Sequence, residues 1–234
     1  MIRIFKKELK AYLLNPLGYI FLTIFFTITA LLFVAANVKE STTLFEAVIV
    51  NLRTALMIFI PAIVMKLLVE ERRNKTEQLL FTSPITIRDI VMGKFLAATA
   101  MLVITLIITM IYPVMLSFVT KIYIPSLVTS YLGFLLLGMA LIAVCLFLSS
   151  FTESPIISFL EGVGSIFFFW IGERVVGGVK NKYVAQFIDS FCVMGKLFNF
   201  TKGYLDITVV FYYINIIVMF VFLTIRQIEK RRIG

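Results

Sequence analysis

EERRNKTEQLLFTSPITIRDIVMGK, residues 70–94, is the one long polar interruption in the first half of the chain. It lies between two apolar runs, 54–69 and 95–118, so it is a loop held at both ends by segments that leave water. Residues 70–81 contain no Gly or Pro and are rich in Glu, Arg, Lys, Gln and Leu, all good helix formers. Pro84 ends that piece, because the residue before a proline, here Ser83, is pushed out of the helical region. Thr86, with Asp89 three positions on, makes a capping-box-like start to a second helix that runs into the next apolar span. A short surface helix presenting Leu79 and Leu80 beside charges suits contact with a soluble partner better than catalysis. The plainer reading, a solvated juxtamembrane helix with ordinary charge pairs, stands beside it.

Composition sets the solvent. The chain is 61% hydrophobic, with a mean hydropathy of +1.03, against roughly 45–50% apolar usage in soluble domains. At about 20 residues per span, 234 residues give several membrane helices and no sizeable soluble domain. The expected fold is therefore all-α: a polytopic membrane protein with six transmembrane helices, forming a single domain over 1–234, with the lipid bilayer as its first partner. The net charge of +9 comes from basic residues scattered beside apolar spans, which speaks for membrane topology and against nucleic acid. The chain has no histidine, which removes the usual zinc motifs and the Ser-His-Asp and Cys-His nucleophile systems. Nor is there a G-x-x-x-x-G-K-[ST] sequence, so no P-loop binds ATP here, and no catalytic, cofactor or metal site is expected in the chain. Cys145 and Cys192 are too few to imply a disulfide framework.

Residues 1–14 place Ile2, Phe5, Leu9, Tyr12 and Leu13 on one side of a helical wheel and Arg3, Lys6, Lys7, Glu8 and Lys10 elsewhere, the pattern of an interfacial helix facing headgroups. Asn15-Pro16 breaks it, and 17–36 is the first span. A signal peptide, with Val34-Ala35-Ala36 as cleavage site, is the competing reading. The apolar run exceeds the roughly 7–15 residues of a signal core, so a retained span is favoured. The second span, 54–69, contains Pro61 and extends back toward Phe45, with Arg53 and Lys66 near its ends, where long side chains snorkel. The third is 95–118, with Pro113 near its far end, and the fourth is 127–148. In the fourth, Gly133, Gly138, Ala140 and Ala143 suit close helix packing more than a ligand site.

After the tight turn SSFTES, 149–154, the fifth span is 155–171 and carries Glu161, the one carboxylate set well inside an apolar run. Intramembrane carboxylates are functional candidates by default; the alternative is a structural glutamate on a packing face with Ser158, Gly162 and Ser165. Residues 173–205 form a connection on the far side of the membrane. Within it Val184, Phe187, Ile188, Phe191 and Met194 recur at helical spacing, suggesting a second interfacial or shallow re-entrant helix. The last span is 207–225, followed by a basic tail. With six spans and a cytoplasmic N-terminus, 14 of the 22 Lys and Arg fall on the cytoplasmic side, which favours cytoplasmic termini and a cytoplasmic 70–94 loop. Five of the eight exceptions lie in the connection between spans five and six.

The loop pattern E-E-x-x-x-x-T-E-x-L-L-x-x-x-P, followed by I-x-x-G-K-F, resembles the first cytoplasmic loop of type-2 ABC transporter permeases. The ends of the chain, F-K-K-E-L-x-A-Y-L-L-N-P-L-G-Y-I and F-x-K-G-x-L-D-I-x-x-V-x-Y-Y…F-L-T-I-R-x-I-E-K-R-R, and the turn S-S-x-T-E are similar to the gliding-motility permease branch of that family. Lys75 stands where the family pattern has glycine, and Ser154-Pro155 where the branch tends to Asn-Gln. The resemblance implies that 70–81 is a coupling helix docking on two cytosolic ATPase subunits that bind the ATP. Leu79 and Leu80 would supply apolar contact, Glu70, Glu71, Arg72, Arg73 and Glu77 polar register, and Thr76 and Pro84 the rest of the motif. It also implies pairing with a second copy or a homologous permease in a bacterial cell membrane, and export of a substrate. Two readings from other classes remain beside it: a membrane scaffold or intramembrane enzyme built around Glu161, and a proton-coupled transporter using the same residue.

Overall fold

The computed structural model describes residues 1–35, 45–73, 85–118, 123–176, 183–184 and 192–233. These residues are helical with no strand among them, as a chain that satisfies its backbone without water requires. The helices are α1 (Ile2–Leu14), α2 (Pro16–Val34), α3 (Phe45–Val64), α4 (Val69–Arg73), α5 (Ile87–Thr109), α6 (Ile111–Ser117), α7 (Ile124–Ser149), α8 (Pro155–Val176) and α9 (Ile207–Ile233), with a 3₁₀ segment at Gly195–Lys202. Five helical stretches are long and apolar enough to cross a membrane, and α1 with α2, bent by 70°, makes a sixth if the pair is one span. The expected polytopic all-α architecture is the observed one.

Local sequence explains the ends of these helices. The Thr86 hydroxyl accepts from the Asp89 amide at 3.2 Å and donates to its carboxylate at 2.9 Å, the cap expected from sequence. That cap starts α5 at Ile87, well before the apolar run itself begins. Asn15 ends α1 in an extended conformation, and the chain turns there into α2. A Cβ on Gly18 would lie 2.0 Å from the Tyr12 carbonyl oxygen, so only glycine lets the chain fold back this tightly. Inside the spans, hydroxyls turn back onto their own helix. Thr29 donates to the Phe25 carbonyl at 2.8 Å, Thr99 to Phe95 at 2.9 Å and Thr224 to Phe220 at 2.7 Å, so these hydroxyls are satisfied within their own helices.

α7 is the axis of the bundle, packed against α3, α5, α8, α9 and the 3₁₀ segment. Its small residues behave as packing residues. Ala140 and Ala143 are fully buried, and a Cβ on Gly138 would come within 2.2 Å of the Leu102 side chain. α2 lies outside α3 and is held by an aromatic cluster, with Phe59 ring centroids 5.1 Å from Phe21 and 5.0 Å from Phe25. α8 and α9 leave most of their apolar surface uncovered.

Two boundaries differ from the sequence reading. α8 continues past Ile171 to Val176, carrying Glu173 and Arg174 on a helix, because Glu173 has an ionic partner within the bundle. α9 continues past Ile225 to Ile233, so the basic tail is the last two turns of a helix, with Lys230, Arg231 and Arg232 at its negative end. Of the apolar series from Val184 to Met194, residues 187, 188 and 191 lie outside the described residues.

Candidate functional site

α4 is only five residues long, yet each of its polar side chains takes a different role. Glu70 pairs with Lys66 at 3.2 Å and is half exposed. Glu71 turns inward and meets Lys94 at 2.8 Å. Arg72, buried, reaches across to donate to the Thr152 carbonyl at 3.0 Å in the turn between α7 and α8. Arg73 is exposed.

Lys94 is the centre of this cluster. It is 1% exposed, about two turns into α5, and its ammonium also lies 3.5 Å from Glu8 of α1 and donates to the Leu67 carbonyl. Lys7, on the surface, completes the set at 3.7 Å from Glu8 and 3.5 Å from Glu71. Two carboxylates thus share two ammoniums, one buried and one wet. A buried lysine without such partners would carry a large desolvation cost, so the four groups hold one another in place. α1 is pinned to the same end by the Tyr12 hydroxyl, which donates to the Ile63 carbonyl at 2.6 Å. Burial first, and then the nearby Glu8 and Glu70 charges, push the Tyr12 phenol well above its ordinary value, so it stays a donor.

The arrangement contains no nucleophile and, among the described residues, no group of acidic, cysteine or histidine side chains that could hold a metal ion. Its capacity is mechanical. The base of the 70–94 loop is tied to α1 through Glu71, Lys94 and Glu8, to α5 through Lys94, and to the α7–α8 turn through Arg72.

Among the residues expected to face a partner, Glu70, Glu71, Arg72 and Arg73 are therefore described, and Glu71 and Arg72 point into the protein. Thr76, Glu77, Leu79, Leu80 and Pro84 lie outside the described residues. Glu8, which the helical wheel sets off the apolar face of α1, is largely covered, because Lys94 lies across from it. Lys94 is read from sequence as the last charge of the loop and is in fact the buried hub. A lysine directly after Gly93 at the head of an apolar run was the only available signal, and its partners are 23 and 86 positions away.

The opposite end, ~17 Å back along α3 from Val64, holds a second cluster. Arg53 is 8% exposed and does not snorkel as expected; it grips Glu173 through two hydrogen bonds of 2.9 and 3.0 Å. It also donates to the Met194 carbonyl at 2.8 Å and stands 4.4 Å over the Phe198 ring. Tyr213 of α9 donates to the Val193 carbonyl at 2.9 Å, and Thr129 of α7 donates to the Phe200 carbonyl at 2.6 Å. These bonds seal the 3₁₀ segment onto the bundle.

Glu161 lies partly covered where α8 packs on α3 and α7. One of its carboxylate oxygens is buried with no hydrogen-bond partner among the described residues. Ser158 beside it is buried, and Ser165 donates to the Gly162 carbonyl at 2.8 Å. No second titratable group is hydrogen-bonded to that oxygen among the described residues.

A family model described as ABC-2 family transporter protein matches residues 2–224. No curated protein matches the chain.

Proposed function

Because the chain belongs to the ABC-2 family of transporter membrane proteins, we propose that it is the permease subunit of an exporter whose two ATPase subunits dock on the 70–81 segment from the cytoplasm. The gliding-motility branch is the part of the family that the end motifs favour. The permease pairs with a second copy or a homologous permease, and both termini face the cytoplasm of a bacterial cell. ATP is bound and hydrolysed in the partner subunits.

The observation that carries the reading is the Lys94 hub. An ATPase pushing on 70–81 moves α4, and Glu71, Lys94 and Glu8 pass that motion to the first interfacial helix and the third span together. Docking and transmission therefore fall on different residues. The test uses the full chain co-expressed with its ATPase. Glu77→Lys with Leu80→Asp is expected to lose co-purification of the ATPase while membrane insertion is kept. Lys94→Met is expected to keep co-purification but lose transport-linked ATPase stimulation. Retention of the ATPase by the Glu77/Leu80 double variant removes the assignment of 70–81, and full stimulation by Lys94→Met removes the hub from the pathway. Glu161→Gln with full ATP-dependent transport dismisses the enzyme and proton-coupled readings.

A further inference from the structure

Between α1, α2 and α3 runs a groove of about 380 Å³ whose apolar length the transport reading does not use. Its walls are apolar, with Phe21, Ile24 and Ile28 from α2 facing Ile58, Phe59 and Ala62 from α3. Its mouth is polar, with Glu8, Lys66 and Glu70 at the level where α1 turns away from α2 by 70°. Ile24 is 47% and Ile58 60% exposed, so the groove opens sideways into hydrocarbon and an occupant enters from the bilayer.

We propose that this groove binds one membrane phospholipid with a phosphoethanolamine headgroup, its acyl chain along α2 and α3 and its headgroup on Lys66 and Glu70. Dimensions support the acyl chain. From Gly18 to Ile28 the groove follows α2 for ~15 Å, the depth of one leaflet, half of a hydrocarbon core of about 30 Å. Charge selects the headgroup. Lys66 and Glu70, 3.2 Å apart, present one cation and one carboxylate to the mouth. A headgroup with a phosphate and a primary ammonium satisfies both, the phosphate accepting from Lys66 and the ammonium donating to Glu70. A choline headgroup has no N–H to donate. A net anionic headgroup brings its charge against Glu70 and Glu8. The basic side chains Lys6, Lys7 and Lys10 of α1 are exposed and do not line the groove, so the loose attraction of anionic lipid to α1 is separate from this site.

The protein supplies its own control. A second groove of about 370 Å³, lined by Pro113, Val114, Leu127 and Leu132 among others, has no charged side chain among the described residues and hence none there to choose a headgroup.

The experiment is native mass spectrometry of the full chain, purified in detergent and exposed to an equimolar mixture of phosphatidylethanolamine, phosphatidylcholine and phosphatidylglycerol of matched acyl chains. The expected result is one retained lipid per chain, with the ethanolamine form enriched roughly tenfold over choline, the scale of one charge-assisted hydrogen bond. Glu70→Gln is expected to abolish that enrichment while a lipid is still retained. Ala62→Phe, which fills the groove, is expected to release it. Since a filled groove could unseat α1, Ile58→Trp at the exposed rim serves as a second block that leaves the buried contacts alone. Preferential retention of phosphatidylglycerol, an enrichment unchanged by Glu70→Gln, or ethanolamine-selective retention by both blocked variants would each overturn the proposal. Loss of a chain dimer instead of a lipid in the Ile58→Trp spectrum would assign the groove to a second copy and overturn it as well.

Discussion

The two ends of the bundle each bury a cation against carboxylates, and they do so with different side chains. At the far end Arg53 holds Glu173 through a two-point fork, with the Met194 carbonyl and the Phe198 ring filling its remaining contacts. At the loop end Lys94, a point charge on a flexible stem, is shared between Glu71 at 2.8 Å and Glu8 at 3.5 Å, and those carboxylates are shared again with Lys7. A planar guanidinium fixes direction as well as distance; an ammonium keeps its attraction while its partners shift. The far end is thus fixed in direction, and the loop end is held by attractions that constrain geometry less.

The sharpest way to break this comparison is to remove Lys94. Lys94→Met leaves two carboxylates under α1 and α4 without their buried partner, a loss of about 3–5 kcal/mol for pairs of this kind. The expected outcome is a markedly lower unfolding temperature in detergent together with loss of ATPase stimulation. Adding Glu71→Gln to Lys94→Met should recover part of the stability but none of the stimulation. Arg53→Met comes next, with an expected loss of about 2–4 kcal/mol, since its pair with Glu173 is also shielded but closer to water. Here stimulation per folded complex should be kept. If Arg53→Met and Lys94→Met lose stimulation equally, the two ends do not differ in role.

Smaller changes sharpen the loop end itself. Tyr12→Phe removes the bond to the Ile63 carbonyl, a loss of about 1 kcal/mol, read as faster amide exchange along α1 with that of α7 unchanged. Lys7→Ala removes the wet member of the cluster, whose side chain is 65% exposed. Its expected effect is about 0–1 kcal/mol, a shift in melting temperature close to the error of the measurement. A large effect at Lys7 would mean that the cluster is held together from outside and not by Lys94.

Much of this protein can be read in one dimension, because membrane spans announce themselves by length and apolarity. The six-segment plan, the amphipathic N-terminal helix, the Thr86 cap and the packing role of Gly138 all follow from local pattern. The ionic partnerships do not. The sequence reading sets Glu8 off the apolar face of α1 with no partner and Arg53 among snorkelling residues, and it ends the fifth span at Ile171. Each differs for the same reason: the deciding partner is far away in the chain, Lys94 for Glu8 and Glu173 for Arg53. The groove under α1 is invisible for a related reason, since it exists only where three helices fail to close on one another.

By itself, the sequence determined that this chain lives in a bilayer, which segments are apolar enough to cross it, and where its long polar loop lies, because hydropathy and helix signals act over a few turns. Only the tertiary structure decided which charges are buried and with whom, because a charge in a low-dielectric interior is stable only beside an opposite one, and folding alone brings such partners together.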